Sequence, residues 1–206
     1  MQGVYVITAT NNSNGYTHFQ LAKMALKGGA RYIQLRDKQL EARELMSLGN
    51  EIRDLCDEYD AKLIINDRID LAYATDAHGV HLGQQDLPIK IARQILGPGK
   101  IIGGSASTLQ EAKAVETEGA DYCGFGHIYS TSTKEKSYAP RGIETLREIV
   151  RSLSIPVFAI GGINLQNAEP VVESGVSGIA VSSAVCATKA PDKSTRELAG
   201  LFRPNN

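Results

Sequence analysis

No stretch of this chain approaches the roughly 18 consecutive apolar residues that a bilayer-spanning helix requires, which excludes a helical membrane anchor. The opening MQGVYVITATNNSNG lacks the cationic flank and small-residue cleavage site of a secretory signal, so a cytoplasmic location is expected. Cysteine is scarce: Cys56, Cys123 and Cys186 are odd in number, widely spaced and set among apolar neighbours. That pattern argues against a disulfide framework or a zinc cluster and reads as reduced packing residues. Net charge is lacking too, since 22 Lys+Arg against 23 Asp+Glu leave −1 with the signs interspersed, and broad nucleic-acid binding is thereby excluded. Nor does a glycine loop of the dinucleotide type follow the first strand, which counts against a doubly wound open sheet.

What is present is enough apolar residue, 42% of 206, to bury a core. At about 150 residues per domain the simpler reading is one domain over residues 1–206. Short β-branched or aromatic runs recur at 4–8, 31–35, 62–66, 79–82, 100–104, 121–126, 156–162 and 177–183. Between most of them lie segments with helical apolar spacing, such as FQLAKMAL, LMSLGNEIRDLCDEY, LQEAKAVETE and IETLREIVRSL. Such alternation implies parallel strands joined by crossover helices. GGARYIQL, TDAHGVHL, EGADYCGF and SGVSGIAV repeat a helix-end-into-strand pattern at every second unit, three of them with Gly where a helix would close. Even units without a linker predict a closed (β/α)₈ TIM barrel of the α/β class, small for its kind, with the open sheet as the rival.

In such a barrel the loops after the strands carry the chemistry, so the strand ends are read in order. After the second strand, alternation puts Arg36 and Lys38 on one side, aimed at the mouth and suited to an anion; a solvated charged turn is the plainer alternative. Asp67 and Asp86 each stand just beyond their own strand on adjacent strands and together suit a hard divalent ion such as Mg²⁺; alone, either acid reads better as a helix cap or a turn. His78 and His81 flank the fourth strand and read as structural. Gly103 and Gly104 are small enough for a ligand to approach, Ser105 adds a hydroxyl, and Ser107 or Thr108 suits a helix cap. The hydroxyl-rich stretch from Gly126 through Thr131 and Thr133 to Lys134 reads as a phosphate loop or lid, against a plain surface loop. Gly161, Gly162, Ser182 and Ser183 occupy the usual phosphate position of the fold. Two phosphorylated groups, one of them with Mg²⁺, are the expected ligands.

QLRDK (34–38), NDRIDLA (66–72), GVHLGQQDLP (79–88), TSTK (131–134), AIGGI (159–163) and AVSSAV (180–185) resemble, in order and spacing, the thiamine-phosphate synthases, relatives of the thiazole tautomerases. The resemblance implies a TIM-barrel transferase that joins aminohydroxymethylpyrimidine diphosphate to a thiazole phosphate and releases pyrophosphate. Carried over, Gln34, Arg36, Lys38, Asn66, Ser105 and Lys134 would contact the pyrimidine diphosphate, Arg36, Lys38 and Lys134 as catalytic cations. Asp67 and Asp86 would hold Mg²⁺, and Thr131, Thr133, Gly162, Ser182 and Ser183 would meet the thiazole phosphate. The chain lacks the His that many synthases carry near Ser107 and the Pro they carry at Ser130. It has His127 where many have Pro but some have His, and in the tautomerase branch a His there is the proton shuttle. A metal-independent isomerase and a non-catalytic sensor of thiamine intermediates are the rivals. The implied partners are small molecules; a homo-oligomer is compatible with the composition.

Overall fold

A computed structural model describes residues 1–11, 13–131 and 138–202. Eight parallel strands close into a barrel in chain order. They are β1 (Gly3–Thr8), β2 (Tyr32–Leu35), β3 (Lys62–Asn66), β4 (Gly79–Leu82), β5 (Ile101–Ala106), β6 (Tyr122–Gly126), β7 (Val157–Ile160) and β8 (Gly178–Val181). Among the described residues seven crossover helices separate them: α1 (His18–Lys27), α2 (Ala42–Glu58), α3 (Ile69–Ala74), α4 (Ile89–Leu96), α5 (Leu109–Thr117), α6 (Gly142–Ser152) and α7 (Ala168–Glu173). After β8 come α8 (Ser183–Cys186) and α9 (Pro191–Gly200). The expected barrel is thus the observed one. Several boundaries shift: β5 runs on through Ala106, β7 stops at Ile160, which leaves Gly161 and Gly162 in the loop, and β8 stops at Val181, which leaves Ser182 and Ser183 beyond the strand.

The sequence repeat has a physical basis in helix closure. Gly29, Gly119 and Gly175 have φ of +98°, +89° and +87°, and in the copy without glycine Asp76 takes the same left-handed turn at φ 47°. The following amides close the turns, Ala30 donating to Ala25, Ala77 to Ala72 and Ala120 to Val115, before each chain enters its strand. At the other ends, Thr17 and Gln20 form a capping box on α1, and Thr108 caps α5 by accepting from the Glu111 amide.

Alternation then sorts the strand residues. Val4, Val6, Ile33, Leu35, Leu63 and Ile65 face the helices in one large core, whereas Tyr5, Tyr32, Tyr122 and Phe158 fill the barrel interior. The ring of Tyr5 lies 5.6 Å from Tyr32, 5.9 Å from Tyr122 and 5.7 Å from Phe158, so the aromatic plug forms the floor beneath the strands' C-terminal ends. A side chain at Gly103 would occupy the space of the Tyr122 ring. This corrects the expectation that Gly103 and Gly104 make way for a ligand: Gly104 is packed against Val115 and Ile89.

His78 is structural, as expected. Its Nδ1 accepts from the Leu63 amide at 3.0 Å and its Nε2 lies 3.2 Å from Asp57. Burial and the cations Arg53, Lys62 and Lys100, opposed by Asp76, push its pKa down to about 4. Because the unfolded imidazole titrates near 6.5, only the unfolded chain takes up this proton between pH 6.5 and 4, so stability falls as the pH drops through that window. After solvent screening the loss is about 1–2 kcal/mol. Urea titrations of His78→Asn, which keeps an acceptor for Leu63, should show a flatter pH dependence than wild type over that range; an unchanged slope would refute the assignment.

Candidate active site

A cavity of about 560 Å³ opens over the aromatic floor, at the C-terminal ends of the strands. Of the residues singled out from the sequence, Gln34, Arg36, Lys38, Asn66, Asp67 and Asp86 line one half, and Ser105, His127, Thr131, Gly162, Ser182 and Ser183 complete the wall. Thr133 and Lys134 lie outside the described residues.

Arg36 and Lys38 both face the cavity, as strand alternation requires, while Asp37 between them turns away. The Asp37 carboxylate accepts from the Gln39 and Leu40 amides at 2.7 and 2.9 Å and from His18 Nε2 at 3.0 Å, which pins the turn that aims the two cations. Burial would raise its pKa, but the two amides and His18 outweigh it and hold the carboxyl below its usual value.

Asp67 does not cap the helix that follows it. The N-cap of α3 is Arg68, with no side-chain cap bond, and Asp67 is instead held at φ 62° with its amide donating to the His81 carbonyl at 2.9 Å. A non-glycine residue in that conformation at a cavity wall is local strain maintained by its surroundings. Asp86 keeps the turn role expected of it, accepting from the Gly83 amide at 2.6 Å, and also faces Asp67. Burial first, then the adjoining Asp86 carboxylate, push the Asp67 pKa upward against the opposing pull of Lys38 and Asn66. Two carboxylates from neighbouring strands thus converge on one point.

The opposite wall is glycine and serine. Gly161 and Gly162 have φ of +98° and +67°, and a side chain at Gly162 would collide with the Ser130 carbonyl and Tyr129. Their glycine identity therefore has a packing cause that the sequence reading, which gave them only an anion-binding role, did not contain. His127 is buried with its ring 5.1 Å from Tyr138, whose hydroxyl donates to the Gly126 carbonyl at 3.2 Å and whose ring carries the Arg141 guanidinium at 4.3 Å.

Sequence reasoning also misassigned His81. Read from the sequence as structural, it lines the cavity, with Nε2 2.8 Å from Ser105 Oγ and Nδ1 2.8 Å from the Tyr122 hydroxyl. Alternation along β4 was the available signal, since His81 stands two residues from the inward Gly79 and pairs in register with Asn66 and Gly103. Tyr5, Tyr122 and Gln84, whose amide donates to the Ser105 carbonyl at 2.6 Å, were likewise not foreseen at the cavity.

Residues 4–185 match the model of the family described as thiamine monophosphate synthase. The thiamine-phosphate synthase of Archaeoglobus fulgidus is 49% identical over 200 residues, covering 97% of this chain and 93% of the relative. That of Chlorobium luteolum is 50% identical over 178 residues, covering 86% and 84%. Among solved structures, a thiamine phosphate pyrophosphorylase from Pyrococcus furiosus superposes with a TM-score of 0.89 at 43% identity, covering 97% of this chain and 95% of that one. A 3-hexulose-6-phosphate synthase at 14% identity and TM-score 0.76 shares the fold.

Proposed function

The chain belongs to the thiamine monophosphate synthase family, and from that footing we propose that it couples 4-amino-5-hydroxymethyl-2-methylpyrimidine diphosphate to a thiazole phosphate, forming thiamine phosphate and pyrophosphate. The observation that carries this reading is the gathering of Arg36, Lys38, Asn66, Asp67 and Asp86 on one half of a single cavity, opposite the glycine-serine wall. An isomerase acting on the thiazole alone has no use for that set. The whole chain works as one barrel domain, its partners are these small molecules, and its place is the cytoplasm; among the described residues no helix is long and apolar enough to cross a membrane.

Asp67 and Asp86 fit a hard divalent cation, because two carboxylates held face to face repel until a cation neutralises them, and Mg²⁺ takes one or two carboxylates with water and phosphate oxygens completing its shell. Mg²⁺ bound there supplies Lewis-acid neutralisation of the departing pyrophosphate. Arg36 and Lys38, joined by Lys134, meet the charge that grows on the same leaving group as the carbon–oxygen bond breaks. Gln34, Asn66 and Ser105 hold the pyrimidine while its methylene becomes electron-poor. Thr131, Thr133, Gly162, Ser182 and Ser183 seat the thiazole phosphate so that the ring nitrogen attacks that methylene. No side chain becomes a nucleophile; the rate comes from leaving-group electrostatics and from the proximity of the two substrates.

Purified protein given both substrates and Mg²⁺ should release pyrophosphate and thiamine phosphate in equal amounts, and EDTA should abolish the release. Turnover indifferent to EDTA, together with loss of thiazole aromatisation in His127→Ala, would establish the isomerase instead. His127, already engaged against Tyr138, should leave coupling within about threefold of wild type when replaced by Gln, the effect of an ordinary neutral hydrogen bond or less.

A further inference from the structure

A line of hydrogen bonds crosses the barrel beneath the cavity. Gln34 Nε2 donates to the Tyr5 hydroxyl at 2.8 Å, Tyr5 and Tyr122 hydroxyls are 2.9 Å apart, Tyr122 is 2.8 Å from His81 Nδ1, and His81 Nε2 is 2.8 Å from Ser105 Oγ. Both phenols are 1% exposed, so water does not substitute for any partner. Burial also keeps both protonated, with pKa values raised above the usual phenol range.

The geometry points to this line as a polarity-fixing relay in which Tyr5, Tyr122 and His81 are positioning residues that hold the Ser105 hydroxyl as a hydrogen-bond donor toward the substrate. The direction of each bond follows from a count of hydrogens. Tyr5 accepts from Gln34, so its own hydrogen goes to Tyr122. Tyr122, having accepted, donates to His81 Nδ1. An imidazole that accepts at Nδ1 carries its hydrogen on Nε2 and donates to Ser105 Oγ. Ser105 has then accepted within the protein, and its remaining hydrogen faces the cavity that it lines. An imidazole donating from both nitrogens would reverse the Tyr122 and Tyr5 hydroxyls and leave the Tyr5 hydrogen aimed at the Gln34 amide group, a donor. The partner fixed at the end is therefore an acceptor atom, a ring nitrogen or a phosphate oxygen of the pyrimidine diphosphate. The relay also joins two substrate-facing residues, Gln34 and Ser105, that stand on β2 and β5. Space for it comes from glycine: Gly103 admits the Tyr122 ring, and a side chain at Gly124 would press on His81 Cε1 at 3.0 Å.

The kinetic part rests on the coupling reaction proposed above; the structural part does not. Nitrogen chemical shifts of ¹⁵N-histidine-labelled wild-type protein, with His81 assigned by comparison with His81→Asn, should show the Nε2–H tautomer. The Nδ1–H tautomer would overturn the proposal, because it reverses every bond in the line. In Tyr122→Phe, which retains the ring, the His81 signal should move toward a mixture of tautomers. Its kcat should fall about tenfold, with the KM for the thiazole phosphate within about twofold of wild type. Tyr5→Phe, which leaves the bond from Tyr122 to His81 in place, should lose only about threefold. A Tyr122→Phe protein with wild-type kcat and an unmoved His81 signal would refute the relay. If that variant does not fold, the wild-type tautomer still decides. Absence of coupling by the wild-type protein would strike the transferase reading and leave the tautomer result standing.

Discussion

Asp67→Asn and Asp86→Asn should each lower the rate of pyrophosphate release by about 10²–10³-fold, the scale of removing a group that stabilises charge formed only in the transition state. The fold should survive. Asparagine tolerates the left-handed φ of 62° at position 67, and at position 86 its amide oxygen still accepts from the Gly83 amide. In metal-free protein the stability should even rise. The Asp67 pKa is raised in the folded state, by burial first and then by Asp86, so the folded form holds that proton more tightly than the unfolded chain does. Stability then falls as the pH rises from 3.8 through the raised value, because folding disfavours the ionised Asp67 carboxylate. Replacing either carboxylate removes the repulsion, so calorimetry at pH 7 should show a melting temperature unchanged or a few degrees higher, about 2–4 °C per kcal/mol for a chain of this size. Loss of activity with retained or increased stability separates a cation-binding role from a structural one. Retention of full, EDTA-sensitive turnover in both variants would remove the cation from this pair.

Gly162→Ala should be a strongly damaging single methyl on the cavity wall. At φ +67° an alanine costs about 1 kcal/mol in backbone strain alone, and its Cβ would also run into the Ser130 carbonyl and the Tyr129 backbone and side chain. Those atoms are not free to withdraw, because the Tyr129 amide donates to the Gly161 carbonyl at 3.0 Å and the Ile128 amide to the Ile160 carbonyl at 2.9 Å. Strain and collision together amount to about 3 kcal/mol, a drop of about 6–12 °C in melting temperature. The KM for the thiazole phosphate should rise with it, since the β7 loop faces the same cavity. Gly119→Ala is the control: its φ is +89°, yet nothing lies within 4 Å of its added Cβ, so strain alone should cost about 1 kcal/mol. Equal losses in the two variants would show that the collision at Gly162 is relieved by movement elsewhere.

The repeat that gave the barrel away held more than was read from it. Aligning GGARYIQL with TDAHGVHL places His81 opposite Gln34, and the structure puts both at the cavity, on the inward side of their strands. Periodicity was therefore sufficient to move His81 from the core to the site. It was not sufficient to find its partners, because Tyr122 is 41 residues away and meets His81 only across the barrel interior. Arg36 and Lys38 were legible because alternation is a local rule, whereas the anchor that aims them, Asp37 on His18, links residues 19 apart. The glycines misled for a related reason. A ligand's approach and a neighbour's ring both demand an absent side chain, and residue type does not distinguish them; at Gly103 the occupant is Tyr122.

By itself the order of residues determined the alternation of strand and helix, the eight-fold closure, the face each strand residue presents and the strand ends that carry charge, since all of these follow from backbone geometry over a few residues. Only the folded barrel decided that Asp67 and Asp86 meet, that Asp67 stands outside helix capping in a left-handed conformation, and that five side chains on five strands form one hydrogen-bonded line. Those are distances between segments far apart in the chain, and they come into being when the barrel closes and brings its staves together.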